Sequence, residues 1–487
     1  MKKVGCFLLI IFFQFLCHYS FCQWMTQWAT KKKSKTINYI QLGQIADVYL
    51  NLQNYNPVIG EADTANEGHP SGIVGPINNN YFAYFEYNFF SSKTRLVRYD
   101  SLLRKSASVF VFEDKEDDSL QNAFEKIVVF GNRLCMFTSQ YNKTENEGYS
   151  KNLYIETVNN SNLKVENRKL LTSDPVQIKT KTVYFFEVSP DTSQLAIVNF
   201  IETEKKDISR GTVKVFDKQL NILWQSSLEL PYNFSNFDTD VKDVELRMKL
   251  ERDGSFNILT PDGHLYRYVE RSKEKIITIN GTDNQTFKDI QFYSFDKQVV
   301  FTGLSALRTN TDTTRGRFFY SYNLLTDSFD IKKLETDSVL DDVFFVDNII
   351  TTKDAGSILI VKKTIKEKYP VKGSASYLYQ DVVVLKRDAN GKVEWETKVP
   401  SSALRDNNTL LSLYRNGTLY IAFNAKGNMY ITTISNTGKV IESKPIWYDK
   451  VYEAQLHRSN NNEGKMLLYI NKVSVSPVKI YALVKIL

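Results

Sequence analysis

The chain has 487 residues, 42% of them hydrophobic and 24% charged, with a formal net charge of +7. That composition belongs to a globular chain long enough to bury a large core. The net charge is small for the length, and apart from Lys31, Lys32, Lys33 and Lys35 the basic residues are dispersed among acidic ones. A nucleic-acid surface, which needs concentrated positive charge, has no support, and the one basic cluster reads as solvated linker.

Lys2 and Lys3 followed by the apolar run Phe7–Phe13 have the form of a secretory signal peptide. Ser20 and Cys22 supply the small side chains that a cleavage site needs, which predicts a signal over 1–22 and Gln23 as the new amino terminus. An uncleaved anchor is the alternative, but the run is shorter than the roughly 20 residues of a spanning helix. Lipidation at Cys17 or Cys22 is disfavoured because bulky Leu16 and Phe21 precede them. With the signal removed only Cys135 remains, so no internal disulfide forms. It lies in Leu134-Cys135-Met136-Phe137 and reads as an inert buried thiol.

Residues 23–72 read as linker, with one strand candidate at Asp47–Leu52 and a turn-rich stretch at Glu61–Gly72 read as loop. From Ile73 to Leu487, short runs rich in Val, Ile, Tyr, Phe and Thr alternate with Gly, Asn, Asp and Ser, the pattern of consecutive strands joined by tight turns. Asp253-Gly254, Asp262-Gly263, Asn390-Gly391 and Asn416-Gly417 supply turn chemistry suited to type I′ hairpins. Val393, Trp395, Thr397 and Val399 alternate with charged residues, as on an outer strand with one wet face. Val382–Leu385 and Leu419–Phe423 are continuously apolar, as where neighbouring sheets cover both faces. Ser119–Lys126 is the best helix candidate, and it is short.

The strand groups recur, with units starting near Ile73, Phe124, Thr182, Asp243, Thr286, Asp342, Asn407 and Lys450. That predicts an all-β β-propeller of eight blades, with seven as the alternative count. The unit from Lys450 holds only three strands, so a segment before Ile73, for which Asp47–Leu52 is the candidate, is expected to close the ring.

Phe216–Trp224 can be laid on Arg387–Trp395: an Asp opens a turn and a Trp follows seven positions later. Tyr99–Leu103 and Ser435–Lys439 echo the turn. These segments resemble the outer-strand motif of quinoprotein-type propeller repeats. Val188–Ala196 resembles the Ser-Pro-Asp-Gly-x-x-Leu-Ala turn of TolB-type propellers, with Thr192 where Gly is usual. The resemblance implies a scaffold for binding protein, peptide or glycan, and in some branches for catalysis. It transfers no functional residue.

No catalytic, cofactor or metal residue can be named from the chain alone. His69, His264 and His457 stand far apart, which gives poor support for a histidine metal site. The clusters Glu113–Asp118 and Asp238–Asp243 lack the Gly and ligand spacing of a calcium loop and read as solvated turns. Nucleophile elbow, phosphate loop and dinucleotide fingerprint are all missing. Tyr81–Phe90 is rich in aromatics, read as packing between blades before a sugar platform. The expectation is an exported, non-catalytic propeller without cofactor, periplasmic, cell-surface or extracellular, binding a protein, peptide or glycan. The alternatives are a propeller glycosidase or lyase and a structural part of an envelope assembly.

Overall fold

The computed structural model describes residues 58–486 except 60–62, 67–68, 88–92, 114–121, 144–148, 177–181, 202–207, 232–246, 271, 282–284, 308–309, 337–342, 368–375, 405–409, 426–427, 446–451, 456–465 and 473–477. Every element there is a strand, and the strands form seven four-stranded antiparallel sheets in chain order plus one further sheet. Sheets I to VII span 69–113, 122–176, 182–230, 247–278, 285–336, 343–404 and 411–445. In each of them the first strand is followed outward by the second, third and fourth. First strands of successive sheets touch one another, which places them around a common axis.

Each sheet buries both faces against its neighbours, which excludes a two-sheet sandwich. Phe82, Leu96 and Met136 fill the seam between sheets I and II. Phe137, Phe186 and Phe216 fill that between II and III, and Val213, Trp224, Tyr266 and Tyr268 that between III and IV. Phe287 and Phe301 pack with Leu265 between IV and V, Phe344 and Leu385 with Leu304 between V and VI. Ile360 and Trp395 meet Leu419 and Ile421 between VI and VII. This is a β-propeller.

The eighth sheet joins the two ends of the described chain. Tyr452–Gln455, Met466–Lys472 and Val478–Ile486 supply three strands, and the outer one is supplied by Val58–Ile59 and Asp63–Asn66. Val58 stands opposite Lys485 and Asn66 opposite Val478, so the two short strands run along one edge. Tyr81, Phe85, Val97 and Tyr99 are buried on the face of sheet I away from sheet II. Asp47–Leu52 lies outside the described residues. Glu61–Gly72, read as loop, contains the pairing strand Asp63–Asn66 and the start of His69–Ile77.

One face of the ring is made of tight turns. Asp100, Asn159, Asp217, Asp388 and Ser435 each open the same turn between third and fourth strands, with the amide of Leu103, Leu163, Leu220, Gly391 or Gly438 donating back to the opening carbonyl. Those closing residues all have positive φ. The aligned repeats thus fold alike. Of the four Gly dipeptides only Asn416-Gly417 has two positive φ values; in the other three the Gly alone does, which corrects the type I′ reading to a turn with a single left-handed residue.

Each of several turns is clasped by the preceding sheet. Arg98 donates to the Asn160 carbonyl at 2.8 Å, Lys169 to Leu220 at 2.9 Å, Lys333 to Asn390 at 2.6 Å, and Trp395 Nε1 to Asn436 at 2.7 Å. Trp395→Phe keeps most of the packing and leaves the Asn436 carbonyl without that donor. We expect thermal or urea unfolding to show a loss of about 1 kcal/mol.

Asn122–Phe130 is a strand, which corrects the helix expected over Ser119–Lys126. A register shift between Phe124 and Lys126 breaks the alternation, so Phe124 and Ile127 face the same seam, three residues apart as on a helix.

Candidate functional site: the inner strands and the face of long connections

Strand direction divides the connections of sheets I to VII into two sets. At the turn face they run from two residues, as at Asn78–Asn79, to the stretch 159–164. At the opposite face they include 114–121, 231–246 and 368–375. Loop length that could carry recognition is therefore gathered on one side of a rigid ring.

The inner strands carry charge toward the axis. Glu187 sits on Thr182–Val188 of sheet III, in an unbroken register with Gln194–Ile201. Tyr184 and Phe186 on that strand pack toward sheet II, and Phe185 packs with the seam between sheets III and IV, so alternation turns Glu187 toward sheet IV. Lys126, on the inner strand of sheet II, reaches the Phe186 carbonyl at 3.4 Å. Lys249, on the inner strand Arg247–Leu250 of sheet IV, lies 3.3 Å from Glu251. Burial raises the Glu187 carboxyl to about 7, against the opposing pull of Lys126 and Lys249.

Further round the axis Asp289 accepts from the Val346 amide at 3.1 Å, and Asn348 donates to Ser412 at 2.8 Å. Lys288 stands 5.8 Å from the half-exposed Phe345 ring. Inner strands of sheets II to V thus bring Lys126, Arg247, Lys249 and Lys288 together with Glu125, Glu187 and Asp289.

Glu125 belongs to a second cluster, buried between sheets II and III near the face of long connections. It accepts from Ser139 at 2.5 Å and lies 3.4 Å from Lys151 Nζ. That ammonium also donates to the Thr182 carbonyl at 3.0 Å and sits 5.5 Å and 5.0 Å from the rings of Tyr141 and Tyr184. Tyr184 donates to Asp174 at 3.2 Å. Burial, then the Asp174 charge, holds the Tyr184 phenol far above its ordinary value. Every member has a partner, which marks the cluster as a clamp between sheets.

A groove of about 330 Å³ opens between sheets I and II, lined by Phe112, Glu113, Gln140, Glu156 and Arg168 among others. Its ionic groups are engaged: Glu156 accepts from Thr138 at 2.8 Å and pairs with Arg168 at 3.3 Å.

The residues singled out from sequence do not converge. His264 stands 3.0 Å from Asp262 on sheet IV; His69 begins sheet I, and His457 lies outside the described residues. Glu113 pairs with Lys93, while 114–118 and 238–243 lie outside the described residues. Tyr81, Phe82 and Phe85 are buried core, and Phe89 and Phe90 lie outside. Cys135 is buried, and that burial pushes its thiol up to about 12. Among the described residues no group of three potential ligands could hold a metal ion, and no helix is long and apolar enough to cross a membrane.

No family model and no curated protein matches the chain. Among solved structures it is similar to polysaccharide lyase Uly1, with TM-score 0.42 and 11% identity over 87% of this chain and 90% of that one. It is also similar to prolyl oligopeptidase B from Galerina marginata, with TM-score 0.40 and 9% identity over 92% of this chain and 60% of that one. A protein of unknown function from Bacteroides caccae aligns with TM-score 0.28 and 11% identity, over 70% of this chain and 95% of that one. None of these likenesses assigns an activity.

Glu187→Gln removes the one inner-strand carboxyl raised to about 7. A carboxyl raised above its unfolded value of 4.5 adds stability below that value and loses it as pH climbs through 7. The substitution should therefore raise the melting temperature at pH 8 and leave it nearly unchanged at pH 4. A gain of about 1–2 kcal/mol is expected, allowing for partial exposure, and calorimetry at the two pH values checks it.

Proposed function

We propose that this chain is an exported β-propeller that binds a protein, peptide or glycan on the ring face carrying the long connections and at the mouth of the axis below it. The supporting observation is the asymmetry of the two faces: clasped tight turns on one side, long connections on the other. Export rests on the signal-like start, Lys2, Lys3 and Phe7–Phe13. The purified chain from Gln23 should retain ligands on peptide and glycan arrays, and replacing 368–375 with a short Gly-Ser turn should abolish retention without lowering the melting temperature. Retention unchanged by that replacement, and by the same change at 114–121, counts against the reading. Cell fractionation tests export, and a cytoplasmic pool alone refutes it.

A second reading, a propeller enzyme on polysaccharide, is favoured by Glu187, because a carboxyl titrating near neutrality suits proton transfer. Depolymerising activity lost in Glu187→Gln would establish it.

A further inference from the structure

Three successive inner strands bring two cations to either side of one partly buried carboxyl. Lys126 comes from sheet II, Glu187 from sheet III and Lys249 from sheet IV. Lys126 makes only a long contact to a carbonyl, at 3.4 Å, and Lys249 leans on Glu251, at 3.3 Å. Neither lysine has a hydrogen-bonded carboxylate with the geometry of a strong ion pair. In a partly buried setting two ammonium groups are screened weakly and favour an anionic group between them.

The aromatic side chains on the inner strands suggest what carries that anion. Phe185 lies on the Glu187 strand, and Phe345, on the inner strand of sheet VI, is 36% exposed with Lys288 beside it. Rings beside cations suit a ligand that alternates apolar sugar faces with acid groups. Resting on the reading of the ring as a binding module, we propose that Lys126 and Lys249 hold a carboxylate of an acidic saccharide, with Glu187 next to it. Two carboxyl groups in contact share one proton, so binding takes up a proton where Glu187 is ionised. The charged groups around Glu187 are Lys126 from sheet II and Lys249 from sheet IV, the latter with its own partner Glu251.

The test uses the full chain from Gln23 and isothermal titration with a short oligouronate, its methyl ester and a glutamate peptide of similar length. The oligouronate should bind, the ester at least roughly tenfold more weakly, and binding at pH 8 should draw protons from buffer, seen as a heat that changes with buffer ionisation enthalpy. Lys126→Gln with Lys249→Gln should weaken binding roughly tenfold or more, Lys126→Arg should keep it, and Glu187→Gln should abolish the proton uptake. Circular dichroism and melting temperature confirm that each variant folds. Equal binding of acid and ester, unchanged binding in the double lysine variant, or tighter binding of the peptide overturns the inference. If array ligands are retained but not displaced by oligouronate, this site fails while the binding reading stands; if nothing is retained at all, both fail.

Discussion

Deleting residues 1–66 is expected to lower the melting temperature by about 10 °C or more, several kcal/mol at the usual conversion, whereas deleting 1–57 should leave it unchanged. The strand lost in the first case pairs with Val478–Ile486 from Val58 opposite Lys485 to Asn66 opposite Val478. Without it the last sheet ends in a naked edge, a row of unpaired amides and carbonyls open to other chains. The buried face of sheet I formed by Tyr81, Phe85 and Tyr99 would also lose its cover. Scanning calorimetry of the two truncations decides the matter, and light scattering should show the shorter chain aggregating first. Equal melting temperatures would remove the closing strand from any role in stability.

Lys151→Met is expected to cost about 3–5 kcal/mol, the penalty for leaving a buried charge without its partner. Lys151 and Glu125 are both largely withdrawn from water, and the ammonium also donates to Thr182 and lies against Tyr141 and Tyr184. The methionine fills similar volume, so the loss reports the stranded carboxylate more than a cavity. The double variant Lys151→Met, Glu125→Gln should recover more than half of the deficit in urea unfolding. Failure to recover would show that the lysine's contacts to the rings and to Thr182 carry the effect.

Acid should loosen the turn face before the core. Hydrogen bonds from the Ser189 and Ser193 hydroxyls hold Asp191 down to about 2, and the Asn221 amide and the Thr352 hydroxyl lead the lowering of Asp217 and Asp354. Depressed carboxyls add stability above their unfolded values, which is lost as pH falls through the folded ones. Asp191→Asn should therefore destabilise the protein at pH 6 and make no difference near pH 2, read by melting temperature across that range.

Much of the ring was written locally and could be read there. An Asp or Ser opening a turn, a residue with positive φ three places on and an aromatic at the next packing position are short-range requirements, so Asp217 to Trp224 and Asp388 to Trp395 stood out as repeats. The unit starts near Thr182, Thr286 and Asp342 fall within a residue of the observed strands Thr182–Val188, Gln285–Phe295 and Val343–Thr351. Where a single strand departs from alternation the reading failed: the shift at Phe124 and Lys126 produced a helix-like spacing. Glu61–Gly72 was missed because Asp63-Thr64-Ala65-Asn66 has no apolar face of its own and is a strand only by virtue of the edge it joins. The axial set was illegible for a different reason. Lys126, Glu187 and Lys249 are ordinary polar residues of their strands, and only closure of the circle makes them neighbours.

The seam between the chain's first and last strands also sets an order of events during synthesis. A polypeptide delivered amino end first must keep 58–66 unpaired until Val478–Ile486 emerges, so the native circle cannot exist on a nascent chain. Contacts spanning nearly the whole length are slow to form, and a factor that shields a bare strand edge would find its substrate in that interval.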